Sequence, residues 1–220
     1  MSKPKLRIGI FGGVFDPPHN GHLEIIKAVQ KEMNFDVFLV SVCHSPCHKH
    51  PPLASYEDRM IMTRYMAKNV TEGYFGFREV VVGGEENLPR PNYTFNLIQN
   101  MHSKFSELVK KGNIELELFL VMGSDEWENF PFWHRVDELY NMCEEIVVVQ
   151  RANYEVAEFE NFSCKIIERK GEGISSTKIR ERIKNGEDIS DLVPALVEMY
   201  IRQNNLYKGD ENVNRNYWAS

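Results

Sequence analysis

The sequence predicts an α/β fold: a doubly wound parallel sheet with helices on both faces. Two observations predict it. Apolar runs of strand length (6–11, 36–42, 75–82, 115–122 and 145–150) alternate with stretches of helical period. The first run ends in Gly12-Gly13, where the chain can turn sharply out of a strand toward a helix. A helix between successive strands carries the chain back to the same end of the sheet, so the strands run parallel and both faces are covered. Ligands in such sheets bind at the carboxyl ends of the strands, near the point where the strand order reverses.

The elements follow in order. Residues 6–11 (LRIGIF) read as a buried strand. Residues 22–33 place Leu23, Ile26, Val29 and Met33 on one helix face. The second strand, 36–42, leads into a loop rich in His, Cys and Pro that lasts to about 54. Ser55 with Asp58 has the pattern of an N-cap and opens a helix over 56–68. The third strand is 75–82, and Gly83, Gly84, Pro89 and Pro91 form a loop before a helix from about 93 to 110. Strands at 115–122 and 145–150 come next, then a short edge strand within 163–168. Ser175 opens a helix to about 185, and 194–204 is the last helix. With no internal repeat or low-complexity linker, residues 1–207 read as a single domain and the polar 208–220 as a loose tail.

Composition narrows the function. Twenty-six Lys and Arg against 32 Asp and Glu give a net charge of −6, which argues against broad binding to nucleic acid or a membrane surface. An anionic ligand must therefore find a local basic site. No apolar run approaches the roughly 18 residues of a membrane span, and no secretion signal is read at the start. The expected location is the cytoplasm, with the four cysteines as reduced thiols. The sequence leaves a homo-oligomer open.

Two segments carry chemistry. Gly12–Leu23 (GGVFDPPHNGHL) leaves a strand on two glycines and enters a helix near His22. Glycine lets the backbone approach a ligand closely, and a helix start offers free N–H groups to phosphate. His19 and His22, three apart, can reach one oxyanion from there. Neither a G-x-x-x-x-G-K-[ST] loop nor a G-x-G-x-x-G fingerprint is present. The second segment is Gly171–Ile183 (GEGISSTKIRERI), with hydroxyls at a helix start and Arg180 one turn on, able to fork onto the same anion. The run 43–50 (CHSPCHKH) is not read as a zinc site, since Pro46 and the C-x₃-C spacing make no standard ligand pattern, and no metal ligands are assigned.

HNGH after a glycine turn, together with ISSTKIR, resembles the nucleotidyltransferase superfamily with the HxGH signature and a Rossmann-like sheet. PNYTFNLI (91–98), the G-x-D-x₇-W spacing of Gly123, Asp125 and Trp133, and PCHK (46–49) resemble the bacterial nicotinate-mononucleotide adenylyltransferases. The resemblance runs from about residue 6 to 207, and departs at Cys47, where that family usually has a second proline. It implies that ATP and nicotinate mononucleotide are the partners, and that the mononucleotide phosphate attacks the α-phosphorus of ATP in line. It also implies Mg²⁺ held mainly by the substrate phosphates. His19, His22 and Arg180 are the implied catalytic residues. Gly12, Gly13, Phe15, Lys49, Gly123, Asp125, Ser176 and Thr177 would hold ATP; Tyr93, Thr94 and Trp133 would surround the pyridine ring. By itself Asp125 reads equally well as an N-cap.

Overall fold

The computed structural model describes residues 3–46, 51–71, 77–85, 87–150, 154–169 and 173–209. The strands are β1 (Lys5–Gly13), β2 (Phe35–Val42), β3 (Phe77–Gly84), β4 (Glu115–Gly123), β5 (Glu145–Gln150) and β6 (Lys165–Glu168). The helices are α1 (Asn20–Glu32), α2 (Tyr56–Thr71), α3 (Thr94–Lys110), α4 (Ser124–Trp127), α5 (Val136–Met142), α6 (Ser176–Lys184) and α7 (Ala195–Gln203). The six strands lie in the order β3-β2-β1-β4-β5-β6, and every neighbouring pair is parallel. This is the doubly wound sheet that the alternating pattern predicts.

Alternate residues of the central strands enter opposite cores. Ile8, Ile10, Leu118, Leu120, Ile146 and Val148 pack with Ile98 of α3, Trp127 of α4 and Leu139 of α5. Phe11, Phe119, Val121, Val147 and Val149 pack on the other face with Ile26 of α1, Met62 of α2, Ile179 of α6 and Val197 of α7. Both faces of these strands are therefore dry, which is why they read as continuous apolar runs without alternation. Burying one such side chain stabilises the fold by about 1.5–3 kcal/mol.

The order reverses between β1 and β4. Phe11 pairs with Val121, so in that register Gly13 and Gly123 end side by side at the carboxyl edge. After β1 the chain crosses to the β2 side, and after β4 to the β5 side, opening a crevice between them.

Two departures from the sequence reading matter for the site. The segment 124–142 holds α4, a 3-10 turn at Phe130–Phe132, and α5, none of them predicted. Each is under two turns or little more, and Pro131 interrupts them, so no helical period can build up. The aromatic residues of this segment differ in burial. Trp127 and Phe130 are buried, whereas Phe132 is 83 % exposed. Helix α1 begins at Asn20, two residues earlier than predicted, with His19 as its N-cap. Among the described residues no helix is long and apolar enough to cross a membrane.

Candidate active site

Two cavities open at the carboxyl edge and share Phe11, Gly12, Gly13, Val14, Gly123 and Glu126. The larger, about 1000 Å³, is lined by Gly12, Gly13, Phe15, His19, His22, Gly123, Asp125, Ser176, Thr177 and Arg180 among others. The smaller, about 160 Å³, is lined by Tyr93, Thr94 and Trp133, with apolar residues of β1 and β4 beneath. Segments far apart in sequence are thus brought to one crevice. Lys49 lies outside the described residues.

The glycines have local causes. A Cβ on Gly13 would stand 2.9 Å from the Phe15 ring, and one on Gly123 would stand 2.7 Å from Asp125 Oδ1. Gly123, and not Asp125, is the N-cap of α4, and Asp125 Oδ1 lies close over the strand end.

Phe15 takes a left-handed φ of 53°, a conformation that costs a non-glycine residue roughly 1–2 kcal/mol. Its buried ring is held edge-on by Phe11 at 5.7 Å and by His22 at 4.9 Å between centroids. His19 and His22 stack at 3.7 Å and 22°. The His19 backbone N–H donates to His22 Nδ1 at 3.2 Å. With Nδ1 accepting, the neutral ring carries its proton on Nε2, so that nitrogen is the donor.

Asp16 ties the loop together. Its carboxylate accepts from the backbone N–H of Leu53 (2.8 Å) and Ala54 (3.1 Å) and from the Tyr207 hydroxyl (2.8 Å). Its carbonyl accepts from Arg180 Nη1 at 2.7 Å. The strand exit, the 51–54 loop, α6 and the chain after α7 are therefore pinned at one residue. Burial, with the Asp16 charge alongside, drives the Tyr207 hydroxyl well above its ordinary range.

Ser175 caps α6, its Oγ accepting from Lys178 N. Ser176 Oγ donates to the Pro17 carbonyl at 2.9 Å, and Arg180 Nη2 donates to Thr177 Oγ1 at 3.2 Å. Arg169, buried in the same wall, donates to Glu24 Oε2 at 2.6 Å and to the Gly21 carbonyl.

The small cavity is framed by buried polar groups. Arg59 of α2, 1 % exposed, donates to the carbonyls of Val14 (2.8 Å), Cys43 (2.6 Å) and His44 (3.3 Å). Asn92 accepts from Ser45 N at 2.7 Å and donates to the carbonyls of Glu85 and Pro89. Tyr93, the N-cap of α3, stacks with His134 at 4.2 Å and 23°.

Glu85, 5 % exposed, accepts from Ser41 Oγ at 2.9 Å. Burial pushes its carboxyl up, against hydrogen bonds from Ser41 and Cys43 and the charge of Arg59. The folded state therefore holds this proton more tightly than the unfolded state. Stability falls as pH rises above the ordinary glutamate range and levels off past the folded value. Glu85→Gln is expected to be more stable than the parent at about pH 8, with the advantage gone near about pH 4. Urea midpoints at the two pH values check this.

Sequence reasoning did not single out Asp16, Arg59, Glu85, Asn92, His134 or Arg169 as site residues. Asp16 and Asn92 carried a signal, standing inside the glycine-histidine loop and the 91–98 segment. Arg59 sits in a helix of mixed charge, where nothing in the spacing separates a buried guanidinium from a solvated one.

A crevice at the switch point with the H-x-G-H pair in its wall is the arrangement of a nucleotidyltransferase, and a cytidylyltransferase-like family profile matches residues 10–182. A Chlorobium phaeovibrioides protein named "probable nicotinate-nucleotide adenylyltransferase" is 30 % identical over 92 % of this chain and 99 % of its own length. A Bacillus pumilus protein of the same name is 31 % identical over 92 % of this chain and 98 % of its own. The Plasmodium falciparum nicotinic acid mononucleotide adenylyltransferase complexed with NaAD superposes with a TM-score of 0.71, covering 91 % of this chain and 97 % of that one. At 19 % identity that likeness shows the fold. The chain belongs to the cytidylyltransferase-like family, in its nicotinate-nucleotide adenylyltransferase branch.

Proposed function

We propose that the chain transfers the adenylyl group of ATP to the 5′-phosphate of nicotinate mononucleotide. One observation carries the reading: two cavities of unequal size, one walled by histidines, hydroxyls and an arginine, the other by aromatic rings and a helix start, meet at Gly12, Gly13 and Gly123. The larger suits a nucleoside triphosphate and the smaller a planar ring. Their junction is where two phosphates would meet.

In the reaction a phosphate oxygen of the mononucleotide forms a bond to the α-phosphorus as the bond to the pyrophosphate oxygen breaks. Pyrophosphate leaves with its electron pair, and no covalent enzyme intermediate forms. Catalysis is then positioning plus stabilisation of developing negative charge. His22, with its proton on Nε2, donates to the α-phosphate oxygens, and stacked His19 orders it. Arg180, Ser176, Thr177 and the α6 N-terminus hold the departing β- and γ-phosphates. Gly123 and Asp125 take the ATP ribose. Tyr93, Thr94 and Trp133 hold the pyridine ring, Trp133 by stacking.

Mg²⁺ would be held mainly by the ATP phosphates and would offset their charge. Among the described residues no group of three or more His, Cys, Asp or Glu could hold a metal ion, and the buried carboxylate of Asp16 is already engaged. The reading keeps 1–207 as one catalytic domain working in the cytoplasm.

Arg180→Lys tests the phosphate assignment. A guanidinium forks onto two oxygens and an ammonium does not. The KM for ATP is expected to rise about tenfold or more in steady-state kinetics. Substrate choice tests the pyridine assignment. The N–H groups at the start of α3 suit a carboxylate and would face the NH₂ donor of an amide. The expected kcat/KM for nicotinate over nicotinamide mononucleotide is at least about 10-fold, from initial rates at saturating Mg-ATP. Equal use would remove the nicotinate assignment.

A further inference from the structure

We propose that His134 is a specificity-determining residue, whose imidazolium is the cation that reads the acidic ring substituent of the mononucleotide. This rests on the function proposed above. The small cavity lining contains no Lys or Arg among the described residues, and its ionisable groups are Cys43, Glu85, Tyr93, Glu126 and His134. A nicotinate carboxylate entering there meets two carboxyl groups, and His134 is the lining residue able to carry positive charge at neutral pH. The stack on Tyr93, 4.2 Å at 23°, sets the imidazole against the N-cap of α3, where the backbone donors begin. The carboxylate would then accept from the helix start and the ring together.

The neighbouring cations are committed elsewhere. Arg135 lies 3.9 Å over the Phe95 ring and is bonded to Glu138, and Arg59 is held by three backbone carbonyls. Around His134 stand Tyr93, the N-cap of α3, the Phe95 ring at 6.2 Å and the charge of Glu138 in α5, while Glu85 and Glu126 line the same cavity. Glu138 feels the His134 charge, but its larger partner is Arg135. Positive charge at position 134 favours the acid over the amide. Ionisation of Glu85, whose carboxyl burial pushes up, acts against it, and variants at position 134 separate the two.

The readout is the ratio of kcat/KM for nicotinate over nicotinamide mononucleotide, measured with the full chain at about pH 6. His134→Gln is expected to cut the ratio about five- to tenfold, through KM for the nicotinate form. His134→Lys is expected to keep the parental ratio. An unchanged ratio in His134→Gln overturns the proposal. So does a His134→Lys protein that behaves like His134→Gln. A parent that makes no dinucleotide from either mononucleotide overturns the reading of function itself, an outcome visible before any variant is made.

Discussion

Replacing His22 with alanine is expected to lower kcat by at least about 10²-fold, while KM for ATP moves by less than about threefold. The His19 N–H donates into His22 Nδ1, which fixes the proton on Nε2. The ring is clamped by the His19 stack on one side and the Phe15 edge on the other. An aimed donor in a walled crevice stabilises charge that grows only in the transition state, and losing one such donor costs roughly 3–4 kcal/mol. ATP would retain Arg180, the α6 N-terminus and the strand-end glycines, so binding suffers less than turnover. Steady-state kinetics separate the two terms, and a kcat within about threefold of the parent would remove His22 from the chemistry.

Arg59→Ala is expected to be the most damaging change outside the substrate-contacting groups. It deletes a buried guanidinium and leaves the carbonyls of Val14, Cys43 and His44 without their donor. Each buried polar group left unsatisfied costs about 1–3 kcal/mol, so a loss of at least about 3 kcal/mol in urea unfolding is expected. The Glu85 carboxyl would also lose the positive charge that partly offsets its burial. Because Val14 follows the strand-end glycines and Cys43 lines the small cavity, surviving folded protein should show raised KM for both substrates. Arg59→Lys offers a single ammonium in place of a planar fork and is expected to recover part of the stability but not all of it.

These two residues also mark what the sequence reveals and what it hides. His22 is legible because it belongs to a short local pattern, strand, paired glycines, H-x-G-H, in which each part has a physical reason to be there. The same holds for Ser175 to Arg180, which one helix start and one turn bring together. The central strands are legible because burial on both faces leaves an apolar run with little else in it. Arg59, Glu85 and Arg169 are hidden because their partners are backbone carbonyls or side chains brought close by the fold, and no spacing along the chain encodes them. His134 is hidden for a different reason: it lies next to Trp133, but its proposed role depends on Tyr93, 41 positions earlier in the chain. The short helices between 124 and 142 were missed because two turns or fewer carry no measurable period.

The central claim is adenylyl transfer, and the most direct measurement follows the α-phosphate. The full chain is incubated with Mg²⁺, ATP labelled at the α-phosphate, and nicotinate mononucleotide, and the products are separated and quantified. The label is expected in nicotinate adenine dinucleotide, with one pyrophosphate released for each dinucleotide formed. Label recovered in ADP, or ATP left intact while the mononucleotide is present and the protein is folded, would contradict it.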